Sequence, residues 1–421
     1  MLRKTVLAVA IALGTCAGAQ LLVGTPTAFA QEKKEEKKKQ GVSPKVGKLL
    51  KPAQEAMKNE QWAEAAAKIR EAQALPERTP FDDYQINEFL FFVSVKQGEP
   101  GYPEAAKALE QVVNSGFMPE EVKAERTRNL AQLLFQTKDY AKSIEYGKRW
   151  IEMSGGTAGA YELVGQAQYL TEDNASAIAT LNQAVEAAKK AGEPVKEQWL
   201  QVILSAYDRT EDSAGVSKTL EALVEHAPTE KYWEQLLDTV YATPDNDDRT
   251  VLEIHRLRNE IGVLKRADDY VEMSDIAAAV GIPAEAARAM EKALAAPDAQ
   301  AKDKERRSGR LSELKRTAET DRKSLPGLEK EAATATGSGE FDYALGVGLL
   351  SFDQYDQATA ALKRAVQKGK LKRPDEAQIM LGRSLLKSNQ KEEARAAFQA
   401  VPANSKLARI ARLWAIYANQ V

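Results

Sequence analysis

Tyr161-Glu-Leu-Val-Gly-Gln-Ala-Gln-Tyr169, with Ala177, Leu181 and Ala184 after it, is the stretch that decides the fold of this 421-residue chain. Tyr161, Val164, Gly165 and Gln168 fall on one side of a helix, and Ala177, Leu181 and Ala184 on one side of a second. The small residue twelve positions after the glycine predicts close contact between the two helices, because a large side chain at either place would push them apart. The arrangement recurs. Leu345, Gly346 and Leu349 precede Ala358, and Leu381, Gly382 and Leu385 precede Ala394, Phe398 and Val401.

Four second helices also open on an aromatic with a small residue three positions on: Trp62-Ala-Glu-Ala65, Tyr102-Pro-Glu-Ala105, Tyr140-Ala-Lys-Ser143 and Tyr355-Asp-Gln-Ala358. The aromatic is expected to cover the turn between the helices. Ser143 and Ala177 are 34 apart, as are Trp199 and Trp233; Ala358 and Ala394 are 36 apart and Ala65 and Ala105 are 40 apart, the excess fitting insertions at turns. Helix pairs are placed at 46–79, 86–119, 124–157, 158–191, 196–229, 230–263, 267–300, 339–372 and 375–408. The charged stretch 301–338 keeps Leu311, Leu314 and Ala318 on one face and reads as a degenerate repeat, a helical linker being the other reading. Gly337-Ser338-Gly339 reads as a turn. Leu407, Ile410, Leu413, Trp414 and Tyr417 make the final helix apolar, as a cap on the array.

The glycine, the small residue and the period resemble the tetratricopeptide repeat (TPR) family from about residue 46 to the C-terminus. The resemblance implies an all-α, TPR-type α-solenoid, a right-handed superhelix of about nine to ten helix pairs, with first helices lining a concave face. It implies an array over 46–300, the charged segment, and C-terminal repeats with a capping helix over 339–421. Candidates for a partner-binding groove are Arg128, Gln132, Phe135, Glu162, Gln166, Tyr169, Tyr207, Glu234, Asp238 and Tyr241, where aromatic and polar groups alternate as a bound peptide or helix requires. Tyr207 and Tyr241 have packing between repeats as an alternative role. The clamp with which some TPR proteins hold a peptide C-terminus is incomplete: Arg128 and Gln132 match two positions, but Leu163 stands at the next.

A narrower resemblance lies in the succession L-A-Q-L-L-F-Q-T-K-D-Y (130–140), Y-E-L-V-G-Q-A-Q-Y (161–169), K-E-Q-W-L (196–200) and K-Y-W-E-Q-L (231–236). It is similar to the periplasmic TPR protein that accompanies some TonB–ExbB–ExbD systems, which implies an accessory role in contact with TonB or an associated envelope component. An envelope-assembly adaptor or chaperone (polysaccharide secretion, pili, outer-membrane proteins) and a peptidoglycan-associated structural protein are the other readings.

Export rests on the first thirty residues. Arg3 and Lys4, the apolar run Val6 to Leu13 and Ala28-Phe29-Ala30 form the three parts of a cleavable signal peptide, and a periplasmic location follows. An inner-membrane anchor over Val6 to Val23 and a lipoprotein site at Cys16 are alternatives. After cleavage no stable transmembrane segment is expected. Residues 31–45 begin with Q-E-K-K-E-E-K-K-K-Q, which reads as a charged, flexible tether. Cleavage would also remove the single cysteine and move the formal charge from −2 to −4, which argues against nucleic-acid binding. His226 and His255 have no ligand-spaced partner, and no phosphate-binding glycine loop or nucleophile motif occurs. No catalytic residue, metal or cofactor is therefore predicted, and protein partners in the cell envelope are.

Overall fold

The computed structural model describes residues 41–421, so the leader and all but the end of the expected tether lie outside the described residues. The described chain is helical, and it gathers into two compact units, one ending at Asp212 and one spanning Ser213–Val421. This division falls inside the fifth expected pair.

The first unit holds α1 (Pro44–Lys58), α2 (Trp62–Gln73), α3 (Pro80–Lys96), α4 (Tyr102–Asn114), α5 (Glu120–Gln136), α6 (Tyr140–Ser154), α7 (Ala158–Leu170), α8 (Asn174–Ala191) and α9 (Glu197–Arg209). The second holds α10 (Ser213–His226), α11 (Glu230–Tyr241), α12 (Asp248–Ile261), α13 (Ala267–Ala279), α14 (Pro283–Ala295), α15 (Lys304–Thr334), α16 (Glu340–Ser351), α17 (Tyr355–Lys368), α18 (Pro374–Lys387), α19 (Lys391–Gln399) and α20 (Ala408–Ala418).

The small residues pack as their spacing requires. Ala65, Ala105, Ser143, Ala177, Ala358 and Ala394 are fully buried. Ser143 satisfies its hydroxyl by donating to the Ala131 carbonyl at 2.9 Å, twelve residues earlier. A Cβ on Gly165 would stand 2.6 Å from Leu181, and one on Gly346 2.5 Å from Leu362, so only glycine lets these helices meet. The turns repeat as well. Glu60, Lys138, Glu172, Asp353 and Asn389 all take positive φ two residues before a second helix. At each, the next amide reaches back five residues, as Asp139 N–H does to the Leu134 carbonyl at 2.8 Å, and so satisfies a carbonyl at the helix end.

Residues 304–334 are helical, but not as a degenerate repeat. They form one 31-residue helix with no turn. Its buried residues Arg307, Leu314, Ala318, Leu325 and Ala332 follow steps of seven and four, a single narrow stripe that one helix buries against its neighbours α14 and α16. Successive helices in such a stack alternate between two layers. One unpaired helix therefore puts the first helices α16 and α18 in the same layer as the second helices α12 and α14.

Candidate functional site

In the first unit α1 touches α3, α5 touches α7 and α7 touches α9, whereas α2, α4, α6 and α8 meet one another at most weakly. Layers spaced more tightly on one side curve toward it, so the odd-numbered helices line the inner side. Arg128, Gln132 and Phe135 are half-buried on α5. Phe135 packs edge-on against Tyr140 at 5.4 Å and thereby serves the turn. On α7, Glu162 is half-buried; it accepts from Lys196 Nζ at 2.7 Å and from Gln166 Nε2 at 3.4 Å. Tyr169 is buried, its hydroxyl 2.7 Å from Ser205 Oγ and its ring under the Arg209 guanidinium at 4.3 Å. Ser205 and Arg209 share one face of α9. Tyr207 lies two residues from each, about 200° around the helix, and is off the row that meets α7. The structure thus assembles six of the seven candidates of this unit along α5 and α7. It adds Ser205 and Arg209, visible in the sequence only as residues four apart on an amphipathic helix.

Three candidates of the second unit are placed otherwise. Glu234, Asp238 and Tyr241 are exposed on α11. Asp238 lies 2.6 Å from Arg258 Nη2 of α12, and Arg258 also covers the Tyr241 ring at 5.0 Å. The Tyr241 hydroxyl donates to Glu272 at 2.8 Å, and Glu272 also meets Nε2 of the fully buried His255 at 2.8 Å. Burial holds the His255 imidazole below its usual pKa, against the pull of Glu272. These side chains hold α11 to α12 and α13 on the outside of their unit, because there the enclosed layer is the even-numbered one.

That layer closes on itself. The capping helix α20 covers α19 as expected, and it also packs on α10 and α12. Seven of its eleven residues are buried, more than one covered face would bury. Gln420 Nε2 donates to the Val224 carbonyl at 2.6 Å, 196 residues away, and Trp233 Nε1 donates to Gln420 Oε1 at 3.1 Å. Arg412 lies 2.6 Å from Glu221, Lys387 Nζ 2.6 Å from Glu260, and Arg249 Nη1 2.6 Å from Glu376. At the centre, the buried Arg256 sits between Glu253 and Glu285, its Nε 2.8 Å from Glu285 Oε1. Burial pushes the Glu285 carboxyl up, but the Arg256 guanidinium outweighs it and brings the pKa down to about 2. The sequence offers no sign of these pairs.

Among the described residues, no group of three or more His, Cys, Asp or Glu side chains is placed to hold a metal ion, and no helix is long and apolar enough to cross a membrane.

The sequence model of the tetratricopeptide repeat family matches residues 95–158 and 343–418, one stretch in each unit. Both matched stretches carry the repeat pattern of that family. The described chain is an all-α TPR solenoid, and proteins built this way serve as protein–protein interaction scaffolds. Solved structures similar to the chain include three of low identity. The TPR2AB domain of yeast Sti1, in a pHSP90 complex, is 15% identical over 71% of this chain and 100% of that one, with a TM-score of 0.25. The TPR domain of P58(IPK) is 13% identical over 89% and 98%, with a TM-score of 0.23. The apo quorum sensor NprR of B. thuringiensis is 14% identical over 85% and 97%, with a TM-score of 0.29. No curated protein sequence matches the chain.

Proposed function

We propose that this chain is a non-enzymatic scaffold that holds a segment of a partner protein along the inner side of its first unit. One observation carries this reading. Arg128, Gln132 and Glu162 stand half-buried on adjacent first helices that no other helix of their unit covers, whereas the second unit fills its inner layer with its own side chains. A surface of guanidinium, amide and carboxylate groups around Tyr169 suits an extended segment with both polar and aromatic side chains.

The leader, with its basic start, apolar run and Ala28-Phe29-Ala30, supports export to the periplasm, with membrane anchoring as the variant if the leader is retained. The motif succession at 130–140, 161–169, 196–200 and 231–236 supports a TonB-associated uptake system as the setting. The test places a photo-crosslinking residue at Gln132 and, as control, at exposed Glu64 on α2. Capture of TonB or a neighbouring envelope protein from position 132 and not from 64 is expected. Equal capture from both positions overturns the inner-face reading, and purely cytoplasmic partners overturn export. Capture of pilin, polysaccharide-export or outer-membrane assembly proteins selects the adaptor role instead, and retention on isolated cell-wall sacculi selects the structural one.

A further inference from the structure

The closed layer of the second unit does not pack solid. It leaves a partly open cavity of about 210 Å³ between α12, α13, α14, α16, α18 and α20. That is smaller than the roughly 300–1,000 Å³ of pockets for drug-sized ligands, so its occupant is a small molecule and not a folded peptide. Met273, Leu350, Leu386 and Trp414 make part of the wall apolar.

The polar part of the wall is unevenly paired. Glu260 is taken by Lys387 at 2.6 Å, and Asp353 accepts from the Tyr355 hydroxyl at 2.8 Å. Glu285 is committed to Arg256. Arg383 shares Glu285 with Arg256, which holds it more closely. Arg383 Nη2 stands 3.6 Å from Glu285, beyond hydrogen-bond distance, and its Nη1 meets only the Met380 thioether at 3.3 Å. The side chain is 18% exposed, lines the cavity, and has the Trp414 ring 5.8 Å away. A guanidinium has five donors and no acceptor, so an enclosed one is short of oxygen partners. Burial and, after it, the neighbouring Arg256 lower the Arg383 pKa against the opposing pull of Glu253, Glu285 and Glu260. A carboxylate brought to it would supply both the missing acceptors and the missing charge. Arg288, 3.9 Å from Asp353, and Lys292, which donates to Asn259 Oδ1 at 2.6 Å, also line this wall.

We propose that this cavity is a binding site for a small organic carboxylate with an apolar body, the carboxylate on Arg383 and the apolar part against Trp414, Leu350 and Leu386. The site stands independently of the scaffold reading, because it lies in the other unit and needs no protein partner.

Calorimetric titration of the full chain with 3-phenylpropionate, and with its uncharged amide, tests the assignment. The acid is expected to bind at millimolar concentration or below and the amide about tenfold or more weakly, the loss that follows from removing a charge-assisted hydrogen bond. Arg383→Met is expected to abolish the preference for the acid. Leu386→Trp, which leaves every ion pair in place and fills the cavity, is expected to abolish binding while helix content and melting stay unchanged. A short peptide ending in phenylalanine carries the same carboxylate on a larger body and is expected not to bind. No binding of the acid by the native chain overturns the proposal, as does equal binding of acid and amide or native-like binding by a folded Leu386→Trp. Tight binding of the peptide overturns the small-molecule assignment.

Discussion

The two units use the same helix pairs and treat their inner sides oppositely. In the first, neighbouring odd-numbered helices touch and leave Arg128, Gln132 and Glu162 half-buried. In the second, even-numbered helices enclose Arg256, Glu253 and Glu285, and α20 returns to α10 and α12. The pair-to-pair packing does not make this difference, since Gly165 on Leu181 and Gly346 on Leu362 are the same contact. The difference follows from α15, a single helix among pairs, which gathers α12, α14, α16 and α18 into one layer. Local repeats thus fix how each pair packs, and one departure from pairing fixes which side of the array is enclosed.

The comparison breaks most visibly at Glu285. Alanine there leaves the buried Arg256 with Glu253 as its remaining carboxylate, and removing one partner of a buried pair costs about 3–5 kcal/mol. Hydrogen exchange should show protection lost in α12, α14 and α18 and unchanged in α5 and α7. Equal loss in both units, or none, would show that the ion pairs do not hold the closed layer. Acid should act in the same direction. The folded pKa of Glu285 is depressed, so its contribution is present above the unfolded value of about 4.3 and is lost as pH falls toward 2.

The shared part of the comparison sharpens at the glycines. Gly165→Ala and Gly346→Ala each force a Cβ to within 2.6 Å of a leucine side chain, and overpacking of this kind costs about 1–3 kcal/mol. The two substitutions should destabilise their own units by similar amounts in chemical denaturation. A large inequality would mean that the pairs are not equivalent after all.

What was legible in the sequence follows the same division. Ala65, Ser143, Ala177 and Ala394 were readable as close contacts because their partners lie about twelve residues away in a recurring pattern. The inner row on α5 and α7 was readable by the same register. The closed layer was not, because Arg249 and Glu376 are 127 residues apart and Val224 and Gln420 are 196 apart, with nothing periodic to link them. The sequence places Glu234, Asp238 and Tyr241 on the inner side because first helices line it in a regular array of pairs. Which layer is enclosed depends on the count of helices, and the charged segment 301–338 conceals that count until it is seen as one helix.

A smaller effect separates the units by pH. His255 is fully buried against Glu272 and Tyr241, with Arg258 and Asp269 also acting on its charge. Its folded pKa is lowered, so the unfolded chain binds the extra proton more readily, and stability should fall as pH drops through about 6.5. Melting followed between about pH 7.5 and 5.5 should show this slope in the native chain and a flatter one in His255→Gln. Identical slopes would remove His255 as the cause.

The smallest expected effect tests the turn that both units share. Lys138 holds φ at 64° between α5 and α6, a conformation in which its Cβ crowds the backbone. Its side chain is exposed, so little packing is lost on truncation. Glycine takes this conformation without strain but has more freedom to lose on folding, and the two effects oppose each other. Because the turn bonds of Lys138 and Asp139 to the Phe135 and Leu134 carbonyls fix the conformation, relief of strain should win. Lys138→Gly should therefore stabilise the first unit by a few tenths to about 1 kcal/mol, and Asn389→Gly should gain less, since asparagine already tolerates positive φ. If both substitutions destabilise by similar amounts, the turn is held by its hydrogen bonds without measurable strain.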